Sequence, residues 1–90
     1  MASRRKLKKD VKNFMDDLFT DCLIQELLNT EVDKDKIESL LTRIYTTRQE
    51  FVSRISHTQP GSVKKYYKKF REDFAEEASD IIAELANLSE

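Results

Sequence analysis

The sequence predicts an all-α fold, an up-down-up antiparallel three-helix bundle, and three observations predict it. The 90-residue chain is 39% hydrophobic and 37% charged yet holds a single Gly and a single Pro, so it has few places to reverse and must form few, long elements. Its apolar residues recur at steps of three and four, which gathers them on one face of a helix. The sole Pro and the sole Gly stand together at Pro60-Gly61, between two such periodic stretches. A chain of this length supports one core and not two, so one helical domain over residues 1–90 is expected.

Helix 1 is expected over about residues 7–29, where Leu7, Val11, Phe14, Met15, Leu18, Phe19 and Cys22 share a face. Asn29 and the polar run Thr30-Glu31 mark its end. Helix 2 is expected over about 35–57: Asp35 followed by Glu38 reads as a variant of the capping box. Its stripe is Ile37, Leu40, Leu41, Ile44, Tyr45, Phe51, Val52 and Ile55. Helix 3, over about 62–87, starts after Pro60-Gly61 with Ser62 as its cap. Val63, Tyr66, Tyr67, Phe70, Phe74, Ala78, Ile81, Ile82 and Leu85 carry its apolar face. Short connections force neighbours to run antiparallel.

Several function classes lack their residues. Cys22 has no second cysteine and His57 no second histidine, which excludes an internal disulfide and any cluster of such ligands. Residues 1–9 are basic like the start of a signal peptide, but Asp10, Asp16, Asp17 and Asp21 interrupt the apolar residues beyond them. A signal core or a membrane span does not tolerate acids at that spacing. A reducing, cytoplasmic location and no membrane partner are therefore expected. There is no Gly-rich phosphate loop, no Ser/His/Asp spacing and no Glu-x-x-His element, since Arg54 stands three before His57. Neither catalysis nor a metal or cofactor is expected. His57 reads as a helix C-terminal residue, and Cys22 as a small core residue.

The net charge of −1 conceals a segregation. Residues 1–12 hold six Lys/Arg against one acid and residues 48–71 hold seven against one, while the rest of the chain holds three against fifteen. In an up-down-up bundle the two basic segments meet at one end. Arg4, Arg5, Lys8 and Lys9 are then expected beside Lys64, Lys65, Lys68 and Lys69. Helices 1 and 3 thereby carry cations at their N-termini and acids toward their C-termini, against the dipole, at a cost of up to about 0.3–1 kcal/mol per exposed charge. Helix stability does not explain the pattern. Contact with an anionic partner would, as would solvated faces whose charges happen to cluster, or opposite poles that associate.

Three further constellations need placing. Lys64, Lys65, Lys68 and Lys69 enclose Tyr66 and Tyr67, a composition seen where nucleic-acid backbones are gripped, but the tyrosines flank the apolar stripe and are expected at the rim of the core with outward hydroxyls. Arg48 falls in the helix 2 stripe, level with Asp17 and Asp73, and is expected to form an inter-helix ion pair with them that sets register. Leu23, Ile24 and Leu27 fall off the helix 1 stripe. Either the connection holding Val32 and the end of helix 3 cover them, or they form a patch for a dimer or a partner helix.

The run Lys6–Val11 leading into Asp17-Leu18-Phe19-Thr20-Asp21-Cys22, then Phe51-Val52-Ser53-Arg54-Ile55-Ser56-His57 with Pro60-Gly61, and Val63–Phe70, resembles a family of small all-α proteins of Bacteroidetes-type bacteria with no assigned activity. The resemblance implies a bacterial, cytoplasmic helical protein and transfers no site residue. The expected function is a non-catalytic helical module that contacts a protein partner, a homodimer being one form of this. The alternative is sequence-independent binding of a nucleic-acid backbone through the basic pole.

Overall fold

The computed structural model describes residues 4–57 and 63–88, the side chain of Val63 excepted. Three helices, α1 (Arg4–Leu28), α2 (Lys34–Ser56) and α3 (Val63–Leu88), run up, down and up. They form an all-α bundle of 50 × 19 × 18 Å. Pro60-Gly61 and the expected Ser62 cap lie outside the described residues.

Helix α1 begins three residues before its first apolar contact, because Arg4, Arg5 and Lys6 are good helix formers that need no burial. It stops at Asn29, whose N–H still bonds the Gln25 carbonyl at 2.9 Å. The Asn29 side chain then accepts the Glu31 N–H at 3.2 Å and starts a turn. The cap of α2 is Asp33, not the expected Asp35: its carboxylate accepts the Asp35 N–H at 2.9 Å. Asp35 lies in the first turn, where its charge favours the dipole. At the far end His57 caps α2, with its N–H and its ring Nδ1 both on the Ser53 carbonyl at 3.0 and 2.9 Å.

One core runs the length of the bundle. Val11, Met15, Leu18 and Cys22 of α1 meet Ile37, Leu40, Ile44, Phe51 and Ile55 of α2 and Phe70 and Ile81 of α3. The buried stripe of α2 differs from expectation at its middle, where Thr47 completes it and is 4% exposed. Tyr45 stands out in solvent, and Leu41 and Val52 are half-buried. The spacing 37, 40, 44, 47, 51 follows three-four steps more strictly than polarity does.

Aromatic rings close the basic half of the core. The Phe51 ring meets Phe70 and Phe74 edge-on at 5.3 and 5.2 Å, and Phe70 and Phe74 lie parallel at 6.2 Å. From α1, Phe14 meets Phe74 edge-on at 5.7 Å. Helix α2 packs most closely against α1 and next against α3, while α1 and α3 touch least. The seam between α1 and α3 is therefore the open side of the bundle. Phe51→Ala removes a fully buried ring packed on Phe70 and Phe74 and is expected to cost about 3–5 kcal/mol in urea unfolding. A loss below about 1 kcal/mol would contradict this account of the core.

Candidate functional site

Arginines of α2 tie the other helices to it. Toward α3, Arg43 meets Glu77 at 3.2 Å, Asp80 at 3.7 Å and Glu84. Burial at the interface pulls the Arg43 guanidinium down, but the hydrogen bonds and charges of Glu77 and Glu84 outweigh it and hold the group above its ordinary value. Farther along α2, Arg54 meets Asp73 at 3.1 Å and lies over the Phe51 and Phe70 rings at 5.0 and 5.4 Å. The Tyr66 hydroxyl donates to the Arg54 carbonyl. Contrary to expectation, that hydroxyl points inward to the end of α2 rather than out to solvent. Tyr66 and Tyr67 pack edge-on at 5.5 Å.

Arg48 does form an inter-helix ion pair, but with neither expected partner. Its Nε donates to Asp16 Oδ1 at 2.9 Å. Asp17, one residue on, is turned about 100° around α1 and is exposed, and Asp73 belongs to Arg54 and, at 3.8 Å, to Lys69. Counting residues from the turns sets the level correctly within one position; the side of the helix it cannot set.

The basic residues divide into two groups. Arg4, Arg5, Lys8, Lys9 and Lys12 line a cleft of about 480 Å³ with Arg48, next to Asn13 and Asp16. Lys64, Lys65, Lys68 and Lys69 are exposed on α3 and none of them borders that cleft. The expected single basic pole is thus a cleft between α1 and α2 plus a separate row on α3. Nothing in a one-dimensional charge count distinguishes them, because both lie toward the same end of the bundle.

At the other end the apolar residues of α1 stay open. Val32 is buried and joins the core, but Leu27 is 78% and Leu28 81% exposed. Leu23 and Ile24 are also exposed, as is Ile82 across the α1–α3 seam. A groove of about 560 Å³ runs there, floored by Leu18, Ile24, Leu28, Ile82 and Leu85. Periodicity assigns Ile82 to the helix 3 stripe and leaves Leu28 without a place. The signal for an open patch is present in the surplus of apolar residues at the end of α1, where Leu23, Ile24, Leu27 and Leu28 surround the helix more widely than one stripe.

No helix among the described residues is long and apolar enough to cross a membrane. No group of three or more His, Cys, Asp or Glu among them is placed to hold a metal ion. Burial, and then the charge of Glu26, push the Cys22 thiol up from its ordinary 9.0, which keeps it protonated and unreactive at neutral pH. Comparisons with known protein families, with curated proteins and with solved structures find no match for this chain.

These contacts make two outcomes testable. Arg43→Met leaves Glu77, Asp80 and Glu84 facing each other and is expected to cost about 1–2 kcal/mol, the loss shrinking in 1 M salt, whereas Arg48→Met costs at most about 1 kcal/mol. Equal losses in urea unfolding would contradict the ladder. Because the folded Cys22 pKa lies above the unfolded one, its contribution to stability is present below about pH 9 and lost as pH rises through the folded value. Cys22→Ala is expected to flatten that alkaline fall in thermal melts; an unchanged fall would assign it to other groups.

Proposed function

We propose that this chain is a non-catalytic helical interaction module, acting in a reducing, cytoplasmic setting, that receives an amphipathic helix along the open α1–α3 seam. The observation that carries this reading is the exposure of Ile24, Leu28 and Ile82, 45%, 81% and 47%, which line one groove with Leu18 and Leu85. Nothing in the fold needs these side chains where they are. Contiguous apolar surface of this kind on a small protein marks a contact site, and a groove between two helices accepts a third helix through residues at i, i+3, i+4 and i+7.

Charge selects the occupant. Asp21 lines the groove and exposed Asp17 stands one turn below it, while none of the residues lining the groove is cationic. A second copy docked about a two-fold axis through this groove would bring Asp21 toward its own counterpart, which opposes a homodimer. A helix with leucines on one face and lysines along its edges satisfies both the apolar floor and the acidic rim.

The test is a titration of the purified chain with two synthetic helices of about 18 residues, alike in their leucine face, one edged with Lys and one with Glu. The Lys-edged helix is expected to bind at least about 10-fold tighter, and Asp21→Asn to reduce the difference. Light scattering is expected to report a monomer. Equal affinities, or a concentration-dependent dimer, would overturn the reading. Leu27→Ser is expected to change stability by less than about 0.5 kcal/mol, since an exposed leucine supports no core.

A further inference from the structure

We infer that the cleft between the first turns of α1 and the middle of α2 binds the phosphodiester backbone of a nucleic acid without reading its bases. Six cations, Arg4, Arg5, Lys8, Lys9, Lys12 and Arg48, line this one hollow of about 480 Å³. Arg4, Lys8 and Lys12 succeed each other at four-residue steps, as do Arg5 and Lys9, so the positive charge climbs α1 by about 6 Å per step. A linear row of cations matches a linear polyanion better than a single small anion.

The one carboxylate in the lining does not cancel this. Asp16 is engaged by Arg48 Nε at 2.9 Å, and that bond uses only the inner nitrogen of the guanidinium. The two terminal nitrogens, which form the fork that suits a phosphate, are left to the cleft. Asp16 thus acts as the group that aims Arg48. The placement of the cations also lacks a structural reason: the first turn of α1 holds no acid, and its Arg and Lys oppose the helix dipole. A bound anion removes that conflict.

The chemistry of the lining narrows the ligand. Among the described residues no apolar side chain lines the cleft, and the apolar residues of this part of α1, Leu7 and Val11, pack into or against the core. The described lining therefore offers no apolar wedge of the kind that enters a bilayer. No aromatic lines it either; Tyr66 and Tyr67 pack on each other on α3, with the Tyr66 hydroxyl on the Arg54 carbonyl. Without rings to stack on bases, and with Asn13 as the one neutral polar side chain among the described lining residues, contacts fall mainly on phosphate and carry little sequence preference.

The experiment is fluorescence anisotropy of the whole chain with a labelled oligouridylate and a labelled mixed-sequence duplex, each about 20 nucleotides, over about 25–200 mM salt. Both are expected to bind, with affinity falling about 10²-fold or more between 50 and 200 mM salt. Lys9→Gln with Lys12→Gln is expected to weaken binding at least about 10-fold and to reduce the salt slope by about 1–2. Lys64→Gln with Lys68→Gln removes the same charge from α3 and is expected to change affinity less than about 3-fold. Equal effects of the two pairs would show diffuse attraction and overturn the cleft. So would an absence of binding at the lowest salt, or equally tight binding of polyglutamate or phosphatidylserine vesicles. Leu28→Ser and Asp21→Asn, both at the apolar groove, are expected to leave RNA binding unchanged within about 3-fold, which keeps the outcome here independent of that groove.

Discussion

The structure depends on what α2 can offer to two neighbours at once. A single helix face cannot be fully apolar toward both α1 and α3, since the buried stripe of α2 is only about 100° wide. Its stripe of Ile37, Leu40, Ile44, Thr47, Phe51 and Ile55 supplies the shared core, and arginines flank it on either side. Arg48 reaches α1, and Arg43 and Arg54 reach α3. These pairs are half-exposed, so each adds little on its own; their geometry decides which side of α3 turns toward α2. The acids Asp73, Glu77, Asp80 and Glu84 occupy one edge of α3, and engaging them commits the opposite edge to the α1 side.

That commitment opens the third seam. With α3 held to α2 through one edge, α1 and α3 touch least of the three pairs, with Phe14 on Phe74 among their contacts. The α1–α3 groove then keeps apolar walls and an acidic rim, while the cations of α1 turn toward the other side and face Arg48. The two contact surfaces are consequences of one arrangement. They sit on different helix pairs and at opposite ends, so occupation of one would leave the other accessible.

Fold class, element order and helix limits within a few residues were legible in the sequence, because the three-four periodicity and the scarcity of Gly and Pro are direct physical constraints on a chain. Two details were not. Thr47 has no place in the stripe read from apolar residues while Arg48 does; the structure buries Thr47 and leaves Arg48 at the edge, since position 47 stands three beyond Ile44. Rotation was the harder quantity. Arg48 could be placed level with the middle of α1, yet choosing Asp16 over Asp17 requires knowing which way α1 faces, and that is set by packing across the whole core. The same limit merged the α1 cations with the α3 lysines. Leu23, Ile24 and Leu27 were legible as surplus apolar residues; that they stay open is clear only once α3 is seen to lean on α2.

Whether α2 holds α3 through Arg43 and Arg54 is measured most directly by backbone amide exchange followed by NMR. In the double variant Arg43→Met/Arg54→Met, protection is expected to fall along α3 by about 10-fold or more while the buried amides of α1 and α2 keep theirs. Unchanged protection along α3, or an equal fall in all three helices, would contradict the claim that these arginines set where α3 lies and leave the α1–α3 seam open.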